Sequence, residues 1–123
     1  MFINEISEKS WNGILKVQEE AYTGIEPEGI NVLKSKWKAS PKTCFLLQTA
    51  DEEIFGYLLA HSWNSNVPPK LFEELPHKTT GDILYLHDLA VINKARGLGV
   101  GKLLANKLLE TAKLHKFKRV LLV

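Results

Sequence analysis

A run of three glycines lies between two segments of different periodicity, and it constrains the fold more than any other feature of this chain. The run is Arg96-Gly97-Leu98-Gly99-Val100-Gly101-Lys102. Before it, residues 83–92 are rich in β-forming side chains. After it, apolar residues recur every four positions, as on one face of a helix: Val100, Leu104, Leu108 and Ala112. The pattern predicts a strand, a glycine turn and a helix in direct succession.

A junction of this kind suits the binding of a phosphate. Glycines allow the backbone to approach an anion closely, and the first N–H groups of a helix have no partner within it. The helix dipole adds partial positive charge at the same place, and Arg96 and Lys102 add full charges. The alternative is structural, because glycine-rich turns with a basic residue also serve simply to pack a helix on a strand.

Two common phosphate-binding loops are excluded by their spacing. A dinucleotide fingerprint that begins at Gly97 needs glycine or alanine at position 102, which is Lys102. A P-loop that ends at Gly101-Lys102 needs glycine at position 96 and serine or threonine at position 103, which are Arg96 and Leu103.

The run instead matches the pattern R/Q-x-x-G-x-G/A at Arg96, Gly99 and Gly101, and Leu89-Ala90-Val91 stands five residues before the arginine. This arrangement resembles the acyl-CoA loop of the GNAT family of N-acetyltransferases, although Asn93 replaces a proline that is often found there. The resemblance implies that acetyl-CoA is the cosubstrate. It also implies the following cofactor-binding residues: Leu89, Ala90, Val91, Arg96, Gly97, Leu98, Gly99, Val100, Gly101 and Lys102.

Composition bounds the remaining possibilities. The 123 residues predict one domain, 1–123, with a single core, and 45% hydrophobic and 24% charged residues are ordinary for a soluble protein. A net charge of +2 without a basic block argues against a nucleic-acid partner. No segment has the length of a membrane span and no signal pattern is present, so we expect a cytoplasmic protein with no membrane partner. Cys44 is the only cysteine and is expected to be a small buried residue, and His61, His77 and His115 lack metal-ligand spacing.

The other predicted elements give the order β-α-α-β-β-β-α-β. They are a strand at 2–6, helices from Ser7 or Ser10 to about Tyr22 and over 30–38, strands at 43–49 and 54–62 joined by a turn at 50–53, a strand at 83–91, a helix over 99–115 and a strand at 118–123. Residues 63–82 form a long linker, and a connection of that length is either disordered or functional.

The resemblance extends over nearly the whole chain, because Ile54 to Ala60 is also similar to the family's third strand, where "vGy" is common. It implies a GNAT-like α/β fold of the α+β type with a mixed sheet. Relative to the family, this chain ends before the last helix and the last two strands. The last helix often carries a tyrosine that protonates the departing thiolate, and no residue here fills that place. A terminal strand with a bare edge invites pairing with a second copy, so we expect a homodimer or larger assembly. The alternative is a truncated product that binds the cofactor weakly.

The chemistry expected from the resemblance is direct transfer of the acetyl group to a primary amine of a small molecule or peptide. The backbone of Leu89 and Val91 is expected to pair with the pantetheine arm, and an N–H near Leu89 to stabilise the oxyanion. The amine needs a base, and His87 stands four residues before Val91, where some family members place a proposed histidine base. Asp88 and Tyr85 are further catalytic candidates.

Each of these candidates also has a structural interpretation. His87 is alternatively a half-buried histidine bonded to a carbonyl, and Asp88 a carboxylate that bonds the backbone. Strand alternation places Asp88 on the face opposite His87 unless a bulge intervenes. Four residues are expected to line the acceptor site: Tyr22, Glu26, Trp37 and Trp63. The two tryptophans are alternatively core aromatics. The alternative for the whole protein is a CoA-binding module without catalysis, or a structural dimer that retains only the fold.

Overall fold

The computed structural model describes residues 1–24, 27–76 and 78–122, and within them it contains a five-stranded mixed sheet in the order β1-β2-β3-β4-β5. The strands are β1 (Phe2–Glu5), β2 (Phe45–Gln48), β3 (Ile54–Trp63), β4 (Ile83–Val91) and β5 (Arg119–Leu122). The first four strands pair antiparallel with their neighbours, whereas β4 and β5 are parallel. The fold class predicted from the sequence is confirmed.

Among the described residues, three α-helices cover the two faces of the sheet. They are α1 (Trp11–Ala21), α2 (Ile30–Ala39) and α3 (Val100–Leu114). Neighbouring residues of β3 show how the faces divide. Gly56 lies against Val100 of α3, while the hydroxyl of Tyr57 meets a cluster of polar groups that includes Tyr22, just after α1. The helix α3 therefore packs on one face, and α1 and α2 pack on the other.

Gly56 allows α3 to pack closely on the sheet. A Cβ atom at this position would lie 2.9 Å from Val100 Cγ1 and 3.0 Å from the carbonyl oxygen of Ala90. Both distances are shorter than ordinary contacts, so a larger residue would push the first turn of α3 away from β4.

The element boundaries differ from the sequence prediction at a few positions. Thr43, predicted in a strand, lies in a 3₁₀ turn over Pro41–Thr43, because its hydroxyl bonds the carbonyls of Ser40 at 3.0 Å and Ala60 at 2.7 Å. A second 3₁₀ turn, Glu8–Ser10, precedes α1. Residue 123, predicted as the end of the last strand, lies outside the described residues.

Trp63, predicted as the first residue of the linker, ends β3 and pairs with Ile83. The described residues of 64–82 contain no helix or strand, but they are tied to the body of the protein. The amide of Leu75 donates to Ser35 Oγ at 2.9 Å, and the hydroxyl of Ser62 donates to the carbonyl of Thr79 at 2.8 Å. In the described part of the chain, no helix is long and apolar enough to cross a membrane.

Candidate functional site

A bulge in β4 brings two neighbouring polar residues to the same side of the sheet. Leu59 pairs with Asp88 and Ala60 pairs with Leu86, so His87 is an extra residue in the ladder. The strict alternation that would have separated His87 from Asp88 is broken at this point. Both side chains reach the face covered by α1 and α2, where each meets groups from other elements.

His87 is held by a carboxylate rather than by a carbonyl. Its Nε2 atom donates to Oε1 of Glu28, which lies just before α2. Only 4% of the His87 side chain and 12% of the Glu28 side chain are exposed. The pair is therefore largely removed from water. Electrostatic interactions are stronger there than in solvent, because the protein interior has a lower dielectric constant.

The second oxygen of Glu28 holds the linker. The amide of Phe72 donates to Oε2 at 2.8 Å. Burial by itself would raise the pKa of the Glu28 carboxyl, but the bonds from His87 and Phe72 and the charges of His87 and Lys36 hold that pKa below its ordinary value. Glu28 is consequently a carboxylate at neutral pH.

Lys36 is a lysine with no exposed surface, and its ammonium group donates to the carbonyl of Glu73 at 3.3 Å. Burial lowers the pKa of Lys36, while the negative charges of Glu28 and Glu73 oppose that shift. Lys36 and Glu28 thus compensate each other's charge inside the face that carries His87.

Asp88 accepts hydrogen bonds from two tyrosines. Tyr57 donates to Oδ2 at 2.6 Å and Tyr22 donates to Oδ1. Burial, the charge of Asp88 and its hydrogen bonds raise the pKa of both hydroxyls, so both tyrosines remain neutral donors. Asp88 bonds side chains here, and not the backbone groups of its alternative interpretation. Of the residues expected to line the acceptor site, Tyr22 lies beside it.

Tyr85 and His61 form an aromatic part of the same face. Their ring centroids are 5.5 Å apart, and those of His61 and His87 are 6.5 Å apart. Burial raises the pKa of the Tyr85 hydroxyl and lowers the pKa of His61 to about 4. His61 donates from Nδ1 to the carbonyl of Ser62 at 3.0 Å, and its buried Nε2 has no partner among the described residues. The ring is therefore neutral at physiological pH.

An open cleft adjoins these groups beside β4, next to the last described residue of β5. The described pairing between the two strands covers Ile83–Leu86 and Arg119–Leu122 and stops before the bulge. A cavity of about 390 Å³ lies there, lined by Tyr22, Leu86, His87, Asp88, Leu89 and Leu122. Part of the β4 backbone expected to pair with a pantetheine arm therefore borders this cleft.

The glycine loop has the geometry of an anion-binding site. Gly97 and Gly99 adopt positive φ angles of 86° and 79°, and a Cβ atom added at either would meet nothing within 4 Å. Leu103 is the first residue whose amide reaches back into the turn, to Gly99 O at 2.9 Å, which leaves the amides of residues 100–102 without a helix acceptor. No acidic residue occupies the first turn of α3. Open space, free amides and positive charge fit the diphosphate of an acyl-CoA.

The residues clustered around His87 are called the polar face below: Tyr22, Glu28, Lys36, Tyr57, His61, Tyr85, His87 and Asp88. The glycine loop and the polar face are joined by the strand β4. A Cβ atom at Gly101 would lie 3.9 Å from Leu89 Cδ2 and from Val91 Cγ2, so the first turn of α3 packs on the end of β4. Arg96, Leu98 and Lys102 are exposed, Val100 is buried against the sheet, and Ala90 pairs with Tyr57. The loop lies beyond the carboxyl end of the strand that carries His87 and Asp88.

Of the remaining candidates, Trp63 contacts His61, and the others lie away from this face or outside the described residues. Trp37 packs on Trp11 with ring centroids 5.7 Å apart, and Trp63 stands edge-on to His61 at 5.4 Å. Cys44 is fully buried, and burial raises the pKa of its thiol to about 12. Glu26 and His77 lie outside the described residues. Among the residues that are described, no group of histidine, cysteine and carboxylate side chains could hold a metal ion.

Four residues of the polar face escaped the sequence analysis as site residues: Glu28, Lys36, Tyr57 and His61. Glu28 and Lys36 lie 59 and 51 positions from His87, so no local spacing links them to β4. Tyr57 belongs to the "vGy" segment and was available as a signal, because a polar aromatic after a glycine in a buried strand needs a hydrogen-bond partner.

Comparison with known proteins identifies the family. The family model "Acetyltransferase (GNAT) family" matches residues 11–123. No curated protein matches the chain significantly in sequence.

Solved structures share the fold at low identity. The GNAT-like decarboxylase GphF in complex with isobutyryl-CoA superposes with a TM-score of 0.80 at 18% identity, covering 93% of this chain and 60% of that one. The ribosomal-protein-S18-alanine N-acetyltransferase from Escherichia coli has a TM-score of 0.72 at 13% identity, with 98% and 64% covered. A GNAT acetyltransferase from Staphylococcus aureus Mu50 has a TM-score of 0.76 at 14% identity, with 98% and 71% covered. The chain thus spans less than two thirds of the first two structures. Because the family model covers all but the first ten residues, this chain belongs to the GNAT family of acetyltransferases.

Proposed function

We propose that this protein transfers the acetyl group of acetyl-CoA to a primary amine of a small molecule or peptide, by direct attack in a ternary complex. The observation that carries the proposal is the arrangement along β4. A glycine loop with open space around it follows the strand's carboxyl end, and a cleft beside the same strand is lined by a histidine and a carboxylate.

Acetyl-CoA, when bound, supplies an activated thioester. The amides of residues 100–102 and the charges of Arg96 and Lys102 would hold its diphosphate, and the backbone of Leu89 and Val91 would align its pantetheine arm. An N–H near Leu89 is the proposed donor to the developing oxyanion. These roles use main-chain groups, which is consistent with the few polar side chains on this part of the strand.

His87 is the proposed general base. Only the neutral form of an amine attacks a thioester, so a group that accepts its proton accelerates the reaction. Since Nε2 of His87 donates to Glu28, the proton would be taken by Nδ1. Asp88 and Tyr85 have supporting roles in this proposal. Asp88 fixes Tyr22 at the wall of the cleft and bonds the buried Tyr57 behind it, and Tyr85 packs beside His61.

The test is the release of free CoA thiol from acetyl-CoA over a panel of amines, including polyamines and N-terminal peptides. Propionyl-CoA and isobutyryl-CoA, supplied in parallel, test the preference for the acetyl group. We expect amine-dependent release that falls strongly when His87 is replaced by alanine. If CoA binds by calorimetry and no amine gives turnover, the chain is a binding module and the proposal is wrong.

Three accompanying predictions stand with this proposal. The chain acts as one domain, it functions in the cytoplasm, and it forms a homodimer through β5. The outer edge of β5 has no strand partner in the described ranges, which supports the dimer. Light scattering at several concentrations tests it, and a monomer at all of them would contradict it.

A further inference from the structure

We propose that Glu28 is a positioning residue that fixes both the tautomer of His87 and the linker segment beside it. The proposal deepens the acetyltransferase function stated above, because it rests on His87 as the base. The assignment of the tautomer, however, rests only on the geometry of the protein without ligand.

The hydrogen-bond partners determine which nitrogen of His87 is available. A carboxylate is only an acceptor, so Nε2 must carry the proton that lies between His87 and Glu28. Nδ1 makes no hydrogen bond within the described residues, so it is the nitrogen that carries the lone pair in the neutral form of the ring. Without Glu28, neither nitrogen would have a fixed role, and the ring would divide between two tautomers.

The burial of the pair makes the arrangement specific. The Glu28 side chain is 12% exposed and that of His87 is 4% exposed, so water does not readily replace either partner. A carboxylate in this position also stabilises the imidazolium that forms when Nδ1 takes a proton. It does so at a fixed distance and without the reorganisation that solvent would need.

Other charged and titratable groups facing His87 do not duplicate this role. Asp88 is engaged by two tyrosines, and His61 directs its donor to Ser62. Lys36 of α2 carries positive charge near Glu28, and its bond goes to the carbonyl of Glu73. Tyr85, on the same strand, packs its ring on His61. Within the described residues, Glu28 is the one carboxylate bonded to His87.

Glu28 also connects the base to the linker. One oxygen accepts from His87 and the other accepts from the amide of Phe72, so the segment at 72–75 and the imidazole share one anchor. Lys36 and Ser35 bind the same segment at Glu73 and Leu75. The linker expected to border the acceptor is thereby set in position relative to the base.

The first experiment observes the ring nitrogens of His87 by ¹⁵N-resolved NMR of the protein without ligand. Signals are assigned by their loss in His87→Gln. We expect a proton on Nε2, visible as a protected downfield signal in the wild type and in Glu73→Gln. Glu73→Gln is the matched control, since its exposed side chain does not bond His87. In Glu28→Ala we expect that signal to disappear. A wild-type ring with its neutral-form proton on Nδ1 overturns the proposal whether or not any amine is acetylated.

The second experiment separates positioning from packing by kinetics. Glu28→Gln keeps an acceptor oxygen of the same size, while Glu28→Ala removes it. We expect kcat to fall about 10- to 100-fold in Glu28→Ala and less in Glu28→Gln, with the KM for acetyl-CoA changed by less than about twofold. In the His87→Ala background, Glu28→Ala should cost nothing further. Equal fold losses in both backgrounds would show that Glu28 does not act through His87.

The two experiments distinguish a failure of the positioning role of Glu28 from a failure of the proposed function. If no amine is acetylated, the kinetic arm reports the failure of the acetyltransferase proposal, and the NMR arm still decides the role of Glu28. If transfer occurs and the NMR signal is unchanged in Glu28→Ala, the positioning role is wrong while the enzymatic function stands.

Discussion

Replacing Gly99 by glutamate should test the proposed binding of a diphosphate by the glycine loop more sharply than any other single change. Gly99 has φ 79° and ψ 17°, the left-handed region, and it immediately precedes the first turn of α3. A residue with a Cβ atom there costs about 1–2 kcal/mol in backbone strain. Space is not limiting, because nothing lies within 4 Å of the added atom. The matched control is Gly99→Gln, which carries the same strain and nearly the same volume without the charge.

The difference between the two variants isolates electrostatics. A carboxylate about 6 Å from a diphosphate with two charges is repelled by roughly 1–3 kcal/mol at effective dielectric constants between about 80 and 40. This corresponds to a Kd for CoA about 10- to 100-fold weaker in Gly99→Glu than in Gly99→Gln. Both variants should lose similar thermal stability, because they share the strain.

Isothermal titration calorimetry with CoA at two salt concentrations measures the effect. The gap between the variants should narrow at high ionic strength, since the loop is exposed and its charges are screened. Equal affinities of the glutamate and glutamine variants at low salt would refute the assignment of the diphosphate to this loop.

Three other predictions follow from burial and packing. Gly56→Ala should lower the free energy of unfolding by about 1–3 kcal/mol, because its Cβ atom would crowd Val100 and the Ala90 carbonyl. Chemical denaturation measures this loss, and an unchanged midpoint would contradict the close packing of α3 on Gly56. His61 stays neutral in the folded state down to about pH 4, whereas the unfolded state protonates near 6.5. The free energy of unfolding should therefore fall as the pH falls from about 6.5 to 4, and this dependence should be weaker in His61→Phe. Parallel curves of unfolding free energy against pH for the two proteins would refute the prediction. Cys44 should resist thiol reagents in the native protein and react after unfolding, and rapid native labelling would disprove its burial.

The strand, loop and helix around residues 83–115 were predictable because their signals are local. Four-residue apolar periodicity located α3 to within a residue at each end, and the glycines marked the turn that precedes it. The two glycines with positive φ in this turn, Gly97 and Gly99, belong to the run that the sequence singled out. Backbone sites of this type depend on neighbours in the chain, which a sequence displays directly.

The polar face behind His87 was not predictable in the same way. Glu28 and His87 are brought together by the packing of the α2 region on the sheet, and their hydrogen bond depends on a bulge whose presence no residue type announces. From the sequence, a bulge is only the condition under which His87 and Asp88 share a face, and the residue types do not show whether it is present. Thr43 shows the same limit on a smaller scale, since its β-branched side chain favours a strand but its hydroxyl bonds favour a turn.

The extra residue in β4 shifts the alternation of side chains by one position between the two halves of that strand. Ahead of it, Tyr85 lies on the α1–α2 side, and beyond it Leu89 and Val91 lie against α3. Because His87 is the extra residue of the ladder, deleting it would place Leu86 and Asp88 in regular alternation opposite Ala60 and Leu59, and both halves of the strand would keep their layers. Shortening the strand by this one residue should therefore remove the imidazole that bonds Glu28 and leave the core side chains of both halves in their layers.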